Sequence, residues 1–128
     1  MKKIGFIIGF IFLLTSFYGC AGATGSSTGK DEISTIPGAP TVLKIVIVQN
    51  GFKLSWNLSS QDPGIVTGYE IMRSELASGP FTKIATLDKG VSQYVDATAS
   101  PEIIYYYKVK ALAGSMFSPD SNIVTGER

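Results

Sequence analysis

Between residues 39 and 126 apolar side chains recur at every second position in short runs, and nowhere at the spacing of a helix. Alternation with period two points one set of side chains inward and the other outward, so such a chain can bury its apolar half only by stacking sheets. Residues 41–48 are rich in β-branched side chains and read as a first strand. Asn50-Gly51 follows as a hairpin signal, because both residues tolerate positive φ. Residues 52–56, Phe-Lys-Leu-Ser-Trp, alternate as a half-buried strand. After the turn Gln61-Asp62-Pro63-Gly64, residues 67–74 put Tyr69 and Ile71 on one face and Glu70 and Met72 on the other. Gly79-Pro80 breaks the chain again before residues 81–87, which alternate through Phe81, Lys83 and Ala85. Residues 92–96 centre on Tyr94. Residues 103–113 form the longest run, with Tyr105, Tyr107, Val109 and Ala111 opposite Tyr106, Lys108 and Lys110, and residues 121–126 close the pattern. Seven short strands with turns between them predict an all-β sandwich of two sheets. A domain of about 88 residues can hold a core without disulfides.

The first 19 residues follow different rules. Met1-Lys2-Lys3 is a short positive segment, and residues 4–18 are apolar apart from Gly5, Gly9, Thr15 and Ser16. That layout is a secretory signal, too short for the roughly 20 apolar residues of a spanning helix. The run ends at Phe17-Tyr18-Gly19-Cys20. Gly19-Cys20 resembles the end of the lipobox, where bacterial lipoprotein precursors are lipidated on a cysteine and cut before it. Phe17 and Tyr18 depart from the usual Leu and small residue of that pattern. The resemblance implies residues 1–19 as a signal peptide of lipoprotein type and Cys20 as the lipidation site. The other reading is a plain signal or an uncleaved anchor with Cys20 incidental. The sole cysteine, which excludes an internal disulfide, sits where the apolar run stops. Ala21 after Cys20 resembles the sorting pattern for the outer membrane. The expected address is the cell envelope, at the outer membrane or cell surface, with the lipid as the membrane partner. Two or more acyl chains hold a protein firmly where one does not. Residues 20–38 are rich in Gly, Ser and Thr and read as a flexible tether with a reach of roughly 20–25 Å.

Three stretches together resemble the fibronectin type III family. Leu54-Ser55-Trp56 is similar to its second strand, with Trp56 as the core aromatic. Gly68-Tyr69-Glu70-Ile71-Met72-Arg73-Ser74 is similar to its third strand. Tyr105-Tyr106-Tyr107-Lys108-Val109-Lys110-Ala111, followed by Gly114, Ser118 and Ser121, is similar to its sixth strand and the loop beyond. The resemblance implies a seven-stranded immunoglobulin-like sandwich over residues 39–126, with Tyr105 at the tyrosine corner. There its hydroxyl would bond to upstream backbone while the ring packs inward. Ala99 stands where the family usually has Leu, six residues before the corner. The family implies adhesion, ligand binding or spacing, and a fold by itself names no function. The family also implies an orientation, with the 116–117 region nearer the membrane. The Asn50-Gly51 turn, residues 75–79, residues 99–102 and the C-terminus would point away from it.

Chemistry has little to work with. The chain has no histidine, the commonest general base near neutral pH. Asp62, Glu70, Glu75, Asp88, Asp96, Glu102 and Asp120 are scattered singly, and solvated loop or strand-face positions explain them all. Asp31-Glu32 in the tether reads as a solubilising patch sooner than a calcium site. Ser55, Ser59 and Ser60 lack a base or an elbow motif. Asn57-Leu58-Ser59 is a formal glycosylation sequon that reads as chance. No glycine-rich phosphate loop is present. No catalytic residue, metal ligand or cofactor site is expected, and the chain reads as no enzyme. The formal charge is +1, and losing Lys2 and Lys3 with the signal leaves nine basic and ten acidic residues, a net of −1. Nucleic acid needs clustered Lys and Arg, so it is not an expected partner.

Inward parity assigns Trp56, Tyr69, Tyr94, Tyr105 and Tyr107 to the core. Tyr106 alternates outward, and Met116-Phe117 sit in a loop between the sixth and seventh strands where small polar residues would be expected. These three are the candidate contact residues, against the alternative that Phe117 caps the core. Two functions compete. One is a surface-displayed module binding a protein or a glycan. The other is a structural spacer or an envelope subunit working with a separate chain. Because the sequence stops at Arg128, just past the last strand, the binding module is the expectation. A Cys20→Ser variant is expected to leave the detergent phase for the aqueous phase in a two-phase partition. If it stays with detergent, lipid anchoring through Cys20 is wrong.

Overall fold

Eight strands form where the alternation predicts seven: β1 (Thr41–Val48), β2 (Gly51–Asn57), β3 (Gly68–Ser74), β4 (Thr82–Asp88), β5 (Gln93–Asp96), β6 (Tyr105–Ala113), β7 (Met116–Phe117) and β8 (Val124–Gly126). The structure, a computed structural model, describes residues 35–128. The signal segment, Cys20 and residues 21–34 of the tether lie outside the described residues. All pairings are antiparallel. One sheet has the order β1-β2-β5, and the other has the order β4-β3-β6-β7, with β8 also on β6. Two stacked sheets with no helix among the described residues make the all-β sandwich that the sequence predicts.

The core lies between the sheets, where the inward residues of each alternation meet. Phe52, Leu54 and Trp56 of β2 face Tyr69 and Ile71 of β3 and Tyr105, Tyr107, Val109 and Ala111 of β6. Leu43, Val66 and Ala99 complete it. Aromatic pairs tie it together, with ring centroids 6.0 Å apart for Trp56–Tyr69 and for Phe52–Tyr107, and 6.3 Å for Tyr105–Tyr107. Such pairs add about 0.5–1.5 kcal/mol beyond burial of their area. Tyr94 is half-buried and packs against the core from β5. The Tyr105 hydroxyl accepts the Ser100 N–H at 3.3 Å, so the chain is pinned at the turn that feeds β6.

Four local predictions differ from the structure. First, Asn50-Gly51 is not the β1–β2 turn. Val48 pairs with Gly51, so Gln49-Asn50 make the turn, and neither has positive φ. Gly51 serves a close approach instead. Its φ is +148°, and a Cβ there would stand 1.9 Å from the Asp96 carbonyl oxygen of β5. Second, the alternation in β4 is broken by a bulge: Ile71 pairs with Ala85 and Met72 with Lys83, leaving Ile84 as an extra residue. Ile84, Ala85 and Leu87 therefore all pack against the core. Third, Met116-Phe117 are not a loop but the short strand β7, hairpinned back onto β6 through Gly114-Ser115.

Fourth, the last strand begins at Val124, not at residue 121, because serine side chains take over the ladder before it. Ser118 Oγ accepts the Ala111 N–H at 2.8 Å while its own N–H bonds the Ala111 carbonyl. Ser121 Oγ accepts the Val109 N–H at 2.9 Å while its own N–H bonds the Val109 carbonyl. Pro119 stands between them with no N–H to donate. The edge of β6 is thus satisfied without regular strand pairing, and the eighth strand is β7, in the stretch that reads as a loop, while the last strand is shortened. At the other end Arg128 bonds the Ala99 carbonyl at 3.0 Å, and its own carbonyl accepts the Glu102 N–H at 2.9 Å.

Gly51→Ala is expected to cost at least about 3 kcal/mol, from the Asp96 carbonyl clash and the positive φ together. That corresponds to a melting temperature lower by more than about 12 °C. Asn50→Ala, at the turn, should change it by far less. A thermal melt by circular dichroism compares the two, and the reverse order would mean that the register is wrong.

Candidate functional site

Two groups of polar side chains are built by the strands. The first is internal and centres on Asp96, which lies wholly buried and not on a solvated face as its isolation in the sequence implies. The physical reason is parity: Asp96 shares its face of β5 with Tyr94 and pairs with Phe52. Its carboxylate accepts the Tyr107 hydroxyl at 2.8 Å, Arg73 Nη1 at 2.8 Å, and the Thr98 N–H and hydroxyl at 2.9 and 2.7 Å. Arg73 also bonds Thr98 and lies 4.6 Å over the Tyr105 ring. Burial works against the charge of Asp96, but the bonds from Thr98, Arg73 and Tyr107 outweigh it and hold its carboxyl below the usual range. Burial likewise opposes the Arg73 charge, and the bond to Asp96 reverses that and raises it. Burial and the bond to Asp96 push the Tyr107 hydroxyl well above its ordinary value. With four donors converging on it and no exposed surface, Asp96 has no access to a reactant. It is a clasp between sheets, β5 on one side and β3 and β6 on the other.

A smaller relay does similar work at the opposite end. The Tyr69 hydroxyl accepts the Ser59 N–H at 3.1 Å and donates to Asp62 at 2.8 Å, and Asp62 also accepts the Gly90 N–H. Burial and Asp62 raise the Tyr69 hydroxyl far above its ordinary value. Among the described residues no group of three or more acidic or cysteine side chains could hold a metal ion.

The second group is external: the outer face of the five-stranded sheet. Glu70 and Met72 of β3 pair with Lys110 and Lys108 of β6, and Ser74 pairs with Tyr106. Phe117 of β7 pairs with Leu112, so it shares this face, whereas Met116 pairs with Ala113 and points the other way. Tyr106 and Phe117 are therefore on one face but separated by six residues of β6, about 20 Å. Phe117 is 50% exposed and Met116 42%, while Tyr106 is half-buried. Phe117 does not cap the core. Between the two aromatics lie Lys108, 4.4 Å over the Phe81 ring, and Lys110, 5.9 Å from the Phe117 ring centre. Both lysines bridge Asp120, at 2.7 and 3.5 Å, and Lys83 bridges Glu70 at 3.2 Å. Sequence parity finds Tyr106 and the lysines. Phe81 was outside the candidate set, and the β4 bulge that sets its side cannot be read from alternation.

No protein-family profile matches the chain. In sequence it is similar to a segment of the amylopullulanase of Thermoanaerobacter thermohydrosulfuricus, 40% identical over 95 residues. Those residues are 74% of this chain and 6% of that protein, so the chain spans a small part of the relative it matches. In structure it is similar to a Fn3-like protein from Clostridium thermocellum, with 28% identity and a TM-score of 0.61 over 70% of this chain and 90% of that one. It is also similar to part of the pectate lyase Pel3 of Pectobacterium carotovorum, with 30% identity and a TM-score of 0.55, covering 66% of this chain and 26% of that one. The described domain is a fibronectin type III-like sandwich.

Because the Asp96 carboxyl is held below its unfolded value near 3.8, the stabilisation is complete above that value and is lost as the pH falls through the folded one. The raised hydroxyls of Tyr69 and Tyr107 act in the opposite sense, stabilising below pH 10 and losing that contribution as the pH rises beyond it. Stability measured by urea unfolding is expected to be flat through neutral pH and to fall below about pH 4. Asp96→Asn should cost about 3 kcal/mol at pH 7 and flatten the acid side. An unchanged acid limb in that variant would remove Asp96 from the account.

Proposed function

We propose that the chain is an exported, lipid-anchored and non-catalytic binding module. Its contact surface is the outer face of the five-stranded sheet, and its partner there is a protein. The observation that carries this reading is Phe117, half exposed on a two-residue strand that holds it rigidly beside Lys110. Large apolar side chains presented on a fixed element, with ion-paired lysines around them, fit the anatomy of a protein contact: an apolar anchor and a polar rim. A glycan fits this face less well. Sugar rings stack on open aromatic faces, and the Phe81 ring is covered by Lys108. The buried Asp96 is saturated with donors, which supports a role in holding the sheets and none in catalysis. The lipid anchor at Cys20 and the envelope address rest on the signal pattern of residues 1–20.

A second reading has its own support. The similar segment of amylopullulanase is a small part of a far longer enzyme, and pectate lyase Pel3 also contains a comparable domain. On that reading the module is a spacer or subunit serving a separate polysaccharide-acting chain, and the same surface would be where the two meet.

Envelope proteins captured by the full chain in detergent should include a specific partner lost on Phe117→Ser, with the melting temperature within about 2 °C of the parent, as expected for an exposed site. Binding by that variant at parental level would remove Phe117 as the anchor. Identity of the captured protein separates a free-standing receptor from a polysaccharide-acting enzyme.

A further inference from the structure

A different feature lies on the opposite sheet. A groove of about 180 Å³ opens over the outer face of β1, β2 and β5. The cross-strand row Lys44, Ser55 and Gln93 forms its floor, with Asn57 and Ser92 beside it. Among the described residues, none of these five side chains is engaged in a hydrogen bond or an ion pair. The contrast with the other sheet is marked, since Lys83, Lys108 and Lys110 are all neutralised by Glu70 or Asp120. No carboxylate lines the groove. Lys53, on the next row of the same face, is also without an ion pair, so the face carries uncompensated positive charge.

The wall adds a further observation. Val42 lines one side with φ of +53°, in the left-handed region that β-branched residues avoid. It sits in the bulge where the β1–β2 register slips between Thr41 and Lys44. The strained turn is held by Asn122, whose side-chain amide accepts the Leu43 N–H at 2.8 Å and donates to the Leu43 carbonyl at 2.9 Å. Strain maintained by a dedicated clamp is a pointer to a site.

We propose that this groove binds a carboxylated sugar, a uronic acid residue of an acidic glycan. Two amides and two hydroxyls supply both donors and acceptors, which match vicinal sugar hydroxyls. Lys44 supplies the charge for the carboxylate, and Val42 gives the apolar contact that a pyranose C–H face needs. The site goes beyond the protein-binding face, which lies on the other sheet, and it would make the module a link between an acidic glycan and a protein.

Binding to the groove is read by isothermal titration calorimetry, because the Trp56 ring lies in the core and not in the groove. The full chain in detergent is titrated with trigalacturonate, maltotriose and inorganic phosphate. Trigalacturonate should give saturable heat with a dissociation constant on the order of 1 mM. Maltotriose, of similar size but uncharged, should bind at least about fivefold more weakly, as should phosphate. Lys44→Ala and Asn57→Ala are both at exposed positions and should fold normally. Each should weaken trigalacturonate about five- to tenfold, while Phe117→Ser should leave it unchanged. No response to trigalacturonate, an equal response to maltotriose, or an equal response to phosphate would each overturn the proposal. Loss of protein capture with this response intact would overturn only the reading of the other face.

Discussion

A single carboxylate organises this sandwich. Asp96 projects from an edge strand of the three-stranded sheet and gathers donors from β3 and β6, the two central strands of the other sheet. Apolar stacking holds sheets together without fixing how they slide, since burial is non-directional. A buried anion that must keep four bonds fixes the relative position of three strands at once. That specificity has a cost, for a buried charge left without its partners is strongly destabilising. The domain has no disulfide to do this work, and its polar clasp does it with Tyr107, which is also a core ring. Apolar packing and the polar fixing of geometry thus share one residue.

The same economy appears along β6. Its outward row carries Tyr106, Lys108 and Lys110, and its inward row carries the core. Its edge toward the C-terminal strand is closed by hydroxyls at Ser118 and Ser121. Substituting two side-chain acceptors for backbone carbonyls lets the chain kink at Pro119 while the buried N–H groups of Val109 and Ala111 stay paired. The kink frees Met116 and Phe117 to form their own short strand, which turns Phe117 toward the lysines and Met116 away from them. Presentation of the candidate contact residue is thus a by-product of how a strand edge is satisfied.

Much of the fold was legible in the sequence because alternation maps onto burial residue by residue. β1 was legible to its last residue, and the inward aromatics of β2, β3 and β6 lie where parity puts them. What stayed hidden was whatever depends on a partner strand. Asp96 looks like any isolated acid until β5 is docked, although its parity with Tyr94 was a signal on hand. Ile84 breaks parity only because β3 pairs around it. Gly51 is required by the carbonyl of a residue 45 positions later, so the Asn-Gly pair was assigned to the turn it resembles. The polar groove was hidden for the same reason, since Lys44, Ser55 and Gln93 are neighbours only across three strands.

The clamp at Leu43 has a consequence for life at high local density. β1 is a free edge whose outward positions include exposed Val46, and Ile47 beside it is exposed too. An edge of that kind is a template for unwanted strand addition. The slip of register at Val42 bends the edge out of line, and the Asn122 amide occupies both backbone groups of Leu43. An incoming strand would meet only a short straight stretch before the ladder is blocked. Copies crowded side by side would thereby be kept from zipping into fibres through their β1 edges.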